Sequence, residues 1–309
     1  MIANLVPANP VTGNPVTVTS PRLPQHTPTV AALSLEFQRD EKSGSTLLAA
    51  SAQEPPLRVV RAFEMDDGAA LAHLHNVSGG LLGGDRLSLK VKLGAGARAQ
   101  VTTTGATRIY RRRNDDGATT QLNQIEVGED ALLEYVPDSI IPFAGSRFSQ
   151  DTTICLGAGA GLFWWEILAP GREAKGERFE YECVEMKTNL WVGGRRAAAE
   201  RIRIEPRFRD VHALGRLGEH SFWATLYICR EGIDARRWIE MEEKLREAST
   251  EFVRPGASLW GVSTLATGGL VVRGVAHHGR DMVAGLHGLW RAGKRLLYGC
   301  EPILPRKVN

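Results

Sequence analysis

Gly79-Gly-Leu-Leu-Gly-Gly-Asp85-Arg86, followed at once by Leu87-Ser-Leu-Lys-Val-Lys-Leu93 and then by Thr102-Thr-Thr-Gly-Ala-Thr-Arg-Ile-Tyr110, decides how the chain reads. Two glycine pairs permit positive φ or a very close backbone approach, and the acid-base pair after them sits where the chain enters a strand. Leu87, Leu89, Val91 and Leu93 alternate with Arg86, Ser88, Lys90 and Lys92, a period of two that gives one buried and one wet face. Working outward, a weak repeat recurs in Gly94-Ala-Gly-Ala97, Gly128-Glu-Asp-Ala131 and Gly157-Ala-Gly-Ala160, each after a short apolar strand. Read as glycine-led turns between strands, these units predict stacked β-hairpins. The expected fold is mainly β, an elongated stacked-strand (β-helix-like) architecture, with two α-helices near the C-terminal end.

Residues 1–33 contain six prolines, no charge before Arg22 and no apolar periodicity, so they read as a disordered Pro/Thr-rich tail, with residues 34–309 as a single β-rich domain. The first helix is predicted after Asp234 as N-cap, with Trp238, Met241, Leu245, Ala248 and Phe252 as its apolar stripe. A second is predicted from about Asp281 to Tyr298. Its Gly285, Gly288 and Gly293 each cost roughly 1 kcal/mol relative to alanine, which suggests close packing, here expected against a partner protein.

Thirty-eight basic and 35 acidic residues leave a net charge of +3, too balanced for nucleic acid or an anionic membrane as the main partner. No basic region precedes an apolar stretch at the N-terminus, and the uncharged run before Val272 is broken by glycine and serine, so a cytoplasmic protein is expected. Cys155, Cys183, Cys229 and Cys300 have no metal-knuckle spacing and read as small buried hydrophobes.

The glycine corner leads into a strand and no Gly-Lys-Ser/Thr follows, which argues against a nucleotide site. Asp85 then has two readings, a backbone-bonded turn residue or a functional carboxylate. Arg108 and Arg111 to Arg113 with Tyr110 read as a solvated hairpin tip closed by Asn114-Asp-Asp-Gly117, or as a contact for an acidic partner. His73 and His75 share one face of a strand and could ligate one metal ion, although two ordinary strand histidines is the plainer reading. His277 and His278, with His287, form a second weak metal candidate. Glu134, Asp138, Glu166 and Glu177 are carboxylates among apolar neighbours, so each is either ion-paired or lines a polar path. No nucleophile stands beside a base. A carbohydrate-active enzyme using Glu166 and Glu180 with Trp164 and Trp165 as platforms, and a standalone nickel-binding protein, are the alternatives weighed.

The glycine block and the Thr-Thr-x-Gly-Ala-Thr-x-x-Tyr-Arg block resemble signature segments of the urease accessory proteins called UreD, or UreH. Ile141-Pro-Phe-Ala-Gly-Ser-Arg147, Trp165-Glu-Ile-Leu-Ala-Pro-Gly-Arg172 and Gly176-Glu-Arg-Phe179 continue the resemblance in order over roughly residues 57–205. Thr104 stands where the family often has proline, and Ser146 where alanine is commoner. The resemblance implies a non-catalytic chaperone that binds urease apoprotein and, with UreF and through it the GTPase UreG, promotes nickel insertion into urease. It implies no tightly bound cofactor, only transient nickel. Under it, Asp85, Glu134, Asp138, Glu166 and Glu177 become nickel-path or structural polar candidates, and Gly79, Gly80, Gly83, Gly84 and Gly105 the motif glycines.

Overall fold

The structure, a computed structural model, describes residues 27–113, 117–213 and 215–305. Most of the expected tail, residues 1–26, and positions 114–116 of the expected hairpin tip lie outside the described residues. The described chain runs β1 (Val30–Arg39), β2 (Thr46–Gln53), β3 (Leu57–Arg58), β4 (Ala62–Glu64), β5 (Ala70–Asn76), β6 (Arg86–Leu93), β7 (Arg98–Thr103), β8 (Thr107–Ile109) and β9 (Thr119–Val127). It continues through β10 (Leu132–Tyr135), β11 (Ile140–Pro142), β12 (Arg147–Leu156), β13 (Gly161–Leu168), β14 (Cys183–Val192), β15 (Arg195–Ile204) and β16 (Phe222–Arg230). Helix α1 (Ala235–Ser249), β17 (Ser258–Thr264), β18 (Gly269–Ala276) and α2 (Gly279–Tyr298) complete it. The tail boundary moves accordingly, because Val30 to Leu33 already belong to β1.

Two mixed sheets face each other. The first has the order β15-β14-β12-β9-β6-β1-β2, parallel from β14 to β1 with antiparallel strands at both edges. The second has the main order β17-β18-β16-β13-β10-β7-β5-β3, parallel from β13 to β5. From β5 to β14 the long strands alternate between the sheets, so the glycine-led turns join strands that do not pair. The stacked hairpins of the sequence reading are therefore corrected to corners, and the expected mainly β fold with two helices near the C-terminal end takes the form of two mixed sheets.

The three repeated turns lie one above another. In each, the N–H of the fourth residue donates to the carbonyl of the first: Ala97 to Gly94, Ala131 to Gly128 and Ala160 to Gly157, all at 3.2 Å. The third residue has positive φ, +63° at Gly96, 52° at Asp130 and +64° at Gly159. Successive corners then bond to each other, Gly128 N–H to Leu93 O at 2.9 Å and Gly157 N–H to Val127 O at 2.8 Å. A Cβ on Gly128 would lie 2.6 Å from the Leu93 carbonyl oxygen, so only glycine allows this approach.

Between the sheets an apolar core takes Leu33, Leu35 and Phe37 from β1, Leu89, Val91 and Leu93 from β6, and Val101, Leu133, Leu162 and Trp164 from the opposite sheet. Trp164 stacks on its register neighbour Tyr135 with ring centroids 3.9 Å apart. A second cluster lies beneath the helices and includes Phe163, Trp165, Leu226, Ile228, Trp238, Met241, Leu245, Leu286 and Trp290. Helix α1 is capped as expected, Asp234 accepting from Arg237 N–H, but Ser249 is buried where the stripe placed half-buried Ala248. The glycines of α2 pack closely against this same chain and not against a partner: a Cβ would meet the Trp260 ring at Gly285, the Phe252 ring at Gly288 and Ile228 at Gly293. Cys183 and Cys229 are buried, whereas Cys155 and Cys300 are exposed, contrary to the buried reading of all four.

Gly128→Ala is expected to lower stability by about 1–3 kcal/mol in urea unfolding, because backbone must move to admit the methyl group. Gly105→Ala, where a Cβ has nothing within 4 Å, should change it by less than about 0.5 kcal/mol.

Candidate functional site

The glycine block forms the corner between β5 and β6. Leu82 to Asp85 make a tight turn closed by Asp85 N–H to Leu82 O at 3.1 Å, with Gly84 at φ +84° and Gly79 at +77°. A Cβ on Gly80 would lie 2.5 Å from the Tyr110 ring, Gly83 is buried, and Gly105 is open, so the motif glycines serve different ends. Asp85 is 3% exposed. One carboxylate oxygen accepts from Thr29 N–H at 2.9 Å and the other from Leu82 N–H at 2.8 Å. That carboxylate fastens the corner to the start of β1.

The other carboxylates do not converge. Glu134 points outward from β10, under α2, where Lys294 Nζ lies 2.7 Å from Oε1 and the Trp290 indole and Gln100 amide donate at 3.3 and 3.2 Å. Lys294 and Glu134 side chains are 2% and 6% exposed, and Gln100 also donates to Ile303 O at 2.9 Å, so this pair fixes both α2 and the segment after it. Asp138 accepts from Thr103 at 3.4 Å and its N–H donates back to the same hydroxyl at 2.8 Å. Glu177 pairs with Arg172, which also stacks 4.3 Å over Phe143, and this pairing holds its carboxyl below the usual range.

Glu166 is different. It projects from β13 between the sheets, 6% exposed, and accepts from Gln150 of the facing sheet at 2.5 Å. Burial raises its pKa to about 7 against the opposing hydrogen bonds. Around it the interior is polar. Asn123, Thr152, Thr188 and Glu200 are register partners across β9, β12, β14 and β15, and Gln121 and Gln150 form the row beside them. Glu166, Thr225 and Arg273 are register partners across the other sheet. Gln121 donates to Asn123 and Asn123 to Thr152, both at 3.0 Å. Tyr227 donates to Glu200, which also accepts from Arg273 at 3.1 Å at the exposed edge. This seam separates the Leu35–Val91–Ile125 core from a third apolar cluster of Leu87, Phe148, Leu168 and Met186. At its other side Gln121, Thr103 and Tyr135 line a cavity of about 240 Å³ that opens between the Gly79-Gly80 corner and the Gly105 loop. Sequence reasoning found Glu166 but not Gln121, Asn123, Gln150, Thr152 or Glu200; polar residues at inward positions of otherwise alternating strands were the available signal.

His73 and His75 lie on the outer face of β5 and line a groove of about 690 Å³. His277 stacks on His220, which sequence reading did not single out, while His287 packs against Trp165 and Trp290. Among the described residues no three His, Cys, Asp or Glu side chains are grouped to hold a metal ion. Trp164 and Trp165 are 0% and 3% exposed on opposite faces of β13, so they form no sugar platform, and the carbohydrate-enzyme alternative falls with them. Arg112 pairs with Glu182 at 2.9 Å, at the base of the expected basic tip.

Two stability measurements follow. Lys294→Ala leaves Glu134 buried without its cation and should cost about 3–5 kcal/mol in denaturant unfolding, whereas Glu134→Leu with Lys294→Met should recover most of it. Glu166 has a raised native pKa, so its contribution to stability is complete below about pH 4.5 and is lost as pH rises toward 7, on the order of 3 kcal/mol in all. Glu166→Gln mimics the neutral acid. The stability of the variant relative to wild type should therefore increase between pH 5 and pH 7.5.

The family model described as UreD urease accessory protein matches residues 29–309. A urease accessory protein UreD of Herpetosiphon aurantiacus is 45% identical over 276 residues, covering 89% of this chain and 95% of that protein. The UreD proteins of Deinococcus radiodurans and Pseudomonas entomophila are 32% and 30% identical, each covering 88% of this chain and 94% and 92% of their own lengths. No described helix is long and apolar enough to cross a membrane. With the glycine corner, the order of its motifs and the full-length match in agreement, the chain belongs to the UreD urease accessory protein family, whose members assist urease maturation and are not catalysts.

Proposed function

We propose that this chain is a cytoplasmic scaffold that binds urease apoprotein and, with UreF and through it UreG, promotes nickel insertion, and that the polar seam is the route nickel takes through it. The observation that carries the reading is the seam itself. Side-chain amides, hydroxyls and the carboxylates of Glu166 and Glu200 cross the interior between two apolar clusters, from the cavity at the glycine corner to the Glu200–Arg273 edge. Burying such groups costs stability unless they are satisfied, and apolar residues of similar volume would pack as well, so their retention favours a use.

The chemistry suits passage of a cargo. Neutral oxygen donors with two separate carboxylates, Glu166 and the Arg273-paired Glu200, solvate a hard or borderline divalent cation without closing a chelate around it. Glu166, with a pKa of about 7, can exchange a proton for the cation near neutral pH, which lowers the barrier to both entry and release. Asp85, Glu134, Asp138 and Glu177 act on this reading as supports: Asp85 and Glu177 hold the loops at the glycine-corner side, Asp138 holds the end of β7, and Glu134 holds α2. The sandwich from β1 onward works as one unit, because both sheets share its core.

The test is co-expression with UreF, UreG and the urease subunits, affinity purification and a urease assay after nickel loading. Thr152→Val with Gln150→Leu, which dries the seam while keeping volume, should leave the assembled complex intact and lower urease activation at least tenfold. Activation equal to wild type in that variant would remove the seam from the route. Activation equal in the absence of the chain would remove the scaffold role itself.

A further inference from the structure

His220 precedes β16 and His277 follows β18, and the antiparallel ladder between those strands, continued by Ser221 N–H to Ala276 O at 3.0 Å, brings their imidazoles together. The rings stack with centroids 5.0 Å apart and planes 21° apart. His220 is 9% exposed, and its Nδ1 lies 3.2 Å from the Leu217 carbonyl. A carbonyl only accepts, so Nδ1 carries the proton and Nε2 presents a lone pair. That Nε2 is buried and has no hydrogen-bond partner among the described residues. Such an unpaired buried acceptor carries a desolvation cost that an apolar residue at this position would not.

An imidazole whose Nδ1–H is held by a backbone carbonyl while Nε2 stays bare has the arrangement of a metal-ligating histidine. A metal ion about 2.0–2.1 Å from one nitrogen of each ring, at an angle between square and tetrahedral, sets ring centroids roughly 4.5–5 Å apart. His277 stands at that separation, and because stacked rings present their faces to each other, binding requires its imidazole to turn a nitrogen toward His220. His278 follows, its ring centroid 6.5 Å from that of His277, and its side chain makes no cap for α2.

We propose that His220 and His277 bind one divalent transition-metal ion of the imidazole-preferring class, nickel, copper or zinc, through His220 Nε2 and a nitrogen of His277. With two neutral imidazole ligands and the positive end of α2 nearby, the ion is held weakly and exchanges with water and with other chelators. This does not rest on the nickel-route reading, since the site is separate from the Gln150–Glu166 bond and concerns the chain alone.

The experiment titrates the untagged full chain with nickel sulfate and zinc sulfate by calorimetry and records the paramagnetic resonance spectrum of the copper(II)-loaded protein. One equivalent is expected, with hyperfine splitting from at least two nitrogens. His220→Gln and His277→Ala should each weaken binding at least tenfold with circular dichroism unchanged, while His73→Ala with His75→Ala should leave this site unaffected. Should His220→Gln not fold, the half-buried His277→Ala and the copper spectrum of the wild-type chain carry the test. Affinity within twofold of wild type in His277→Ala, or a copper spectrum without coupling to two nitrogens, overturns the assignment.

Discussion

The backbone hydrogen bond from Gly128 to Leu93, repeated from Gly157 to Val127, is the constraint on which the rest of the structure depends. It stacks one sheet-to-sheet corner directly on the next, and at Gly128 the approach leaves no room for a Cβ. Because each corner is held at the same height, β6, β9 and β12 enter their sheet in parallel register, and β7, β10 and β13 enter the other. The inward rows then align. Leu35, Val91, Ile125, Ile154 and Leu190 make one continuous apolar row; two residues along, β1 and β6 keep Leu33 and Leu89 while β9, β12 and β14 present Asn123, Thr152 and Thr188, continued by Glu200 of β15. A slip of a single residue would turn both rows to solvent.

That alignment makes the polar seam a property of the whole sandwich and not of any one side chain. Within the first sheet Gln121 bonds Asn123 and Asn123 bonds Thr152, while Gln150–Glu166, Tyr227–Glu200 and Arg273–Glu200 cross between the sheets. The Glu166 carboxylate pays for its burial by staying close to protonation at neutral pH, whereas Glu177 and Glu185, beside arginines near the surface, stay ionised more readily than free carboxylates. Chemically identical carboxyl groups therefore shift in opposite directions because of where the chain carries them.

The opposite face of the second sheet is organised by a buried ion pair. Lys294 and Glu134 meet where α2 crosses β10, with the Trp290 indole and the Gln100 amide completing the carboxylate's bonds. Its worth lies in fixing position: the three α2 glycines let Trp260, Phe252 and Ile228 press against the helix, and a buried lysine paired with Glu134 selects one register for that packing.

Much of this was legible in the chain. Alternation in Leu87 to Leu93, the Asp234 cap, the stripe from Trp238 to Leu245 and the glycine-led repeat locate strands, helices and corners, because each depends on local stereochemistry and on periods of two or 3.6 residues. The ordered motif blocks were enough for the family. Other features were decided by tertiary structure: that the repeat turns are corners between sheets and not hairpins, that Asp85 is consumed by two backbone N–H groups, that Glu166 faces Gln150, and that His220 meets His277 across 57 residues. The physical reason is the same for all four. A turn looks alike whether the strands it joins pair with each other or with strands from elsewhere, and a polar residue at an inward position acquires its partner only when the register across several strands is set.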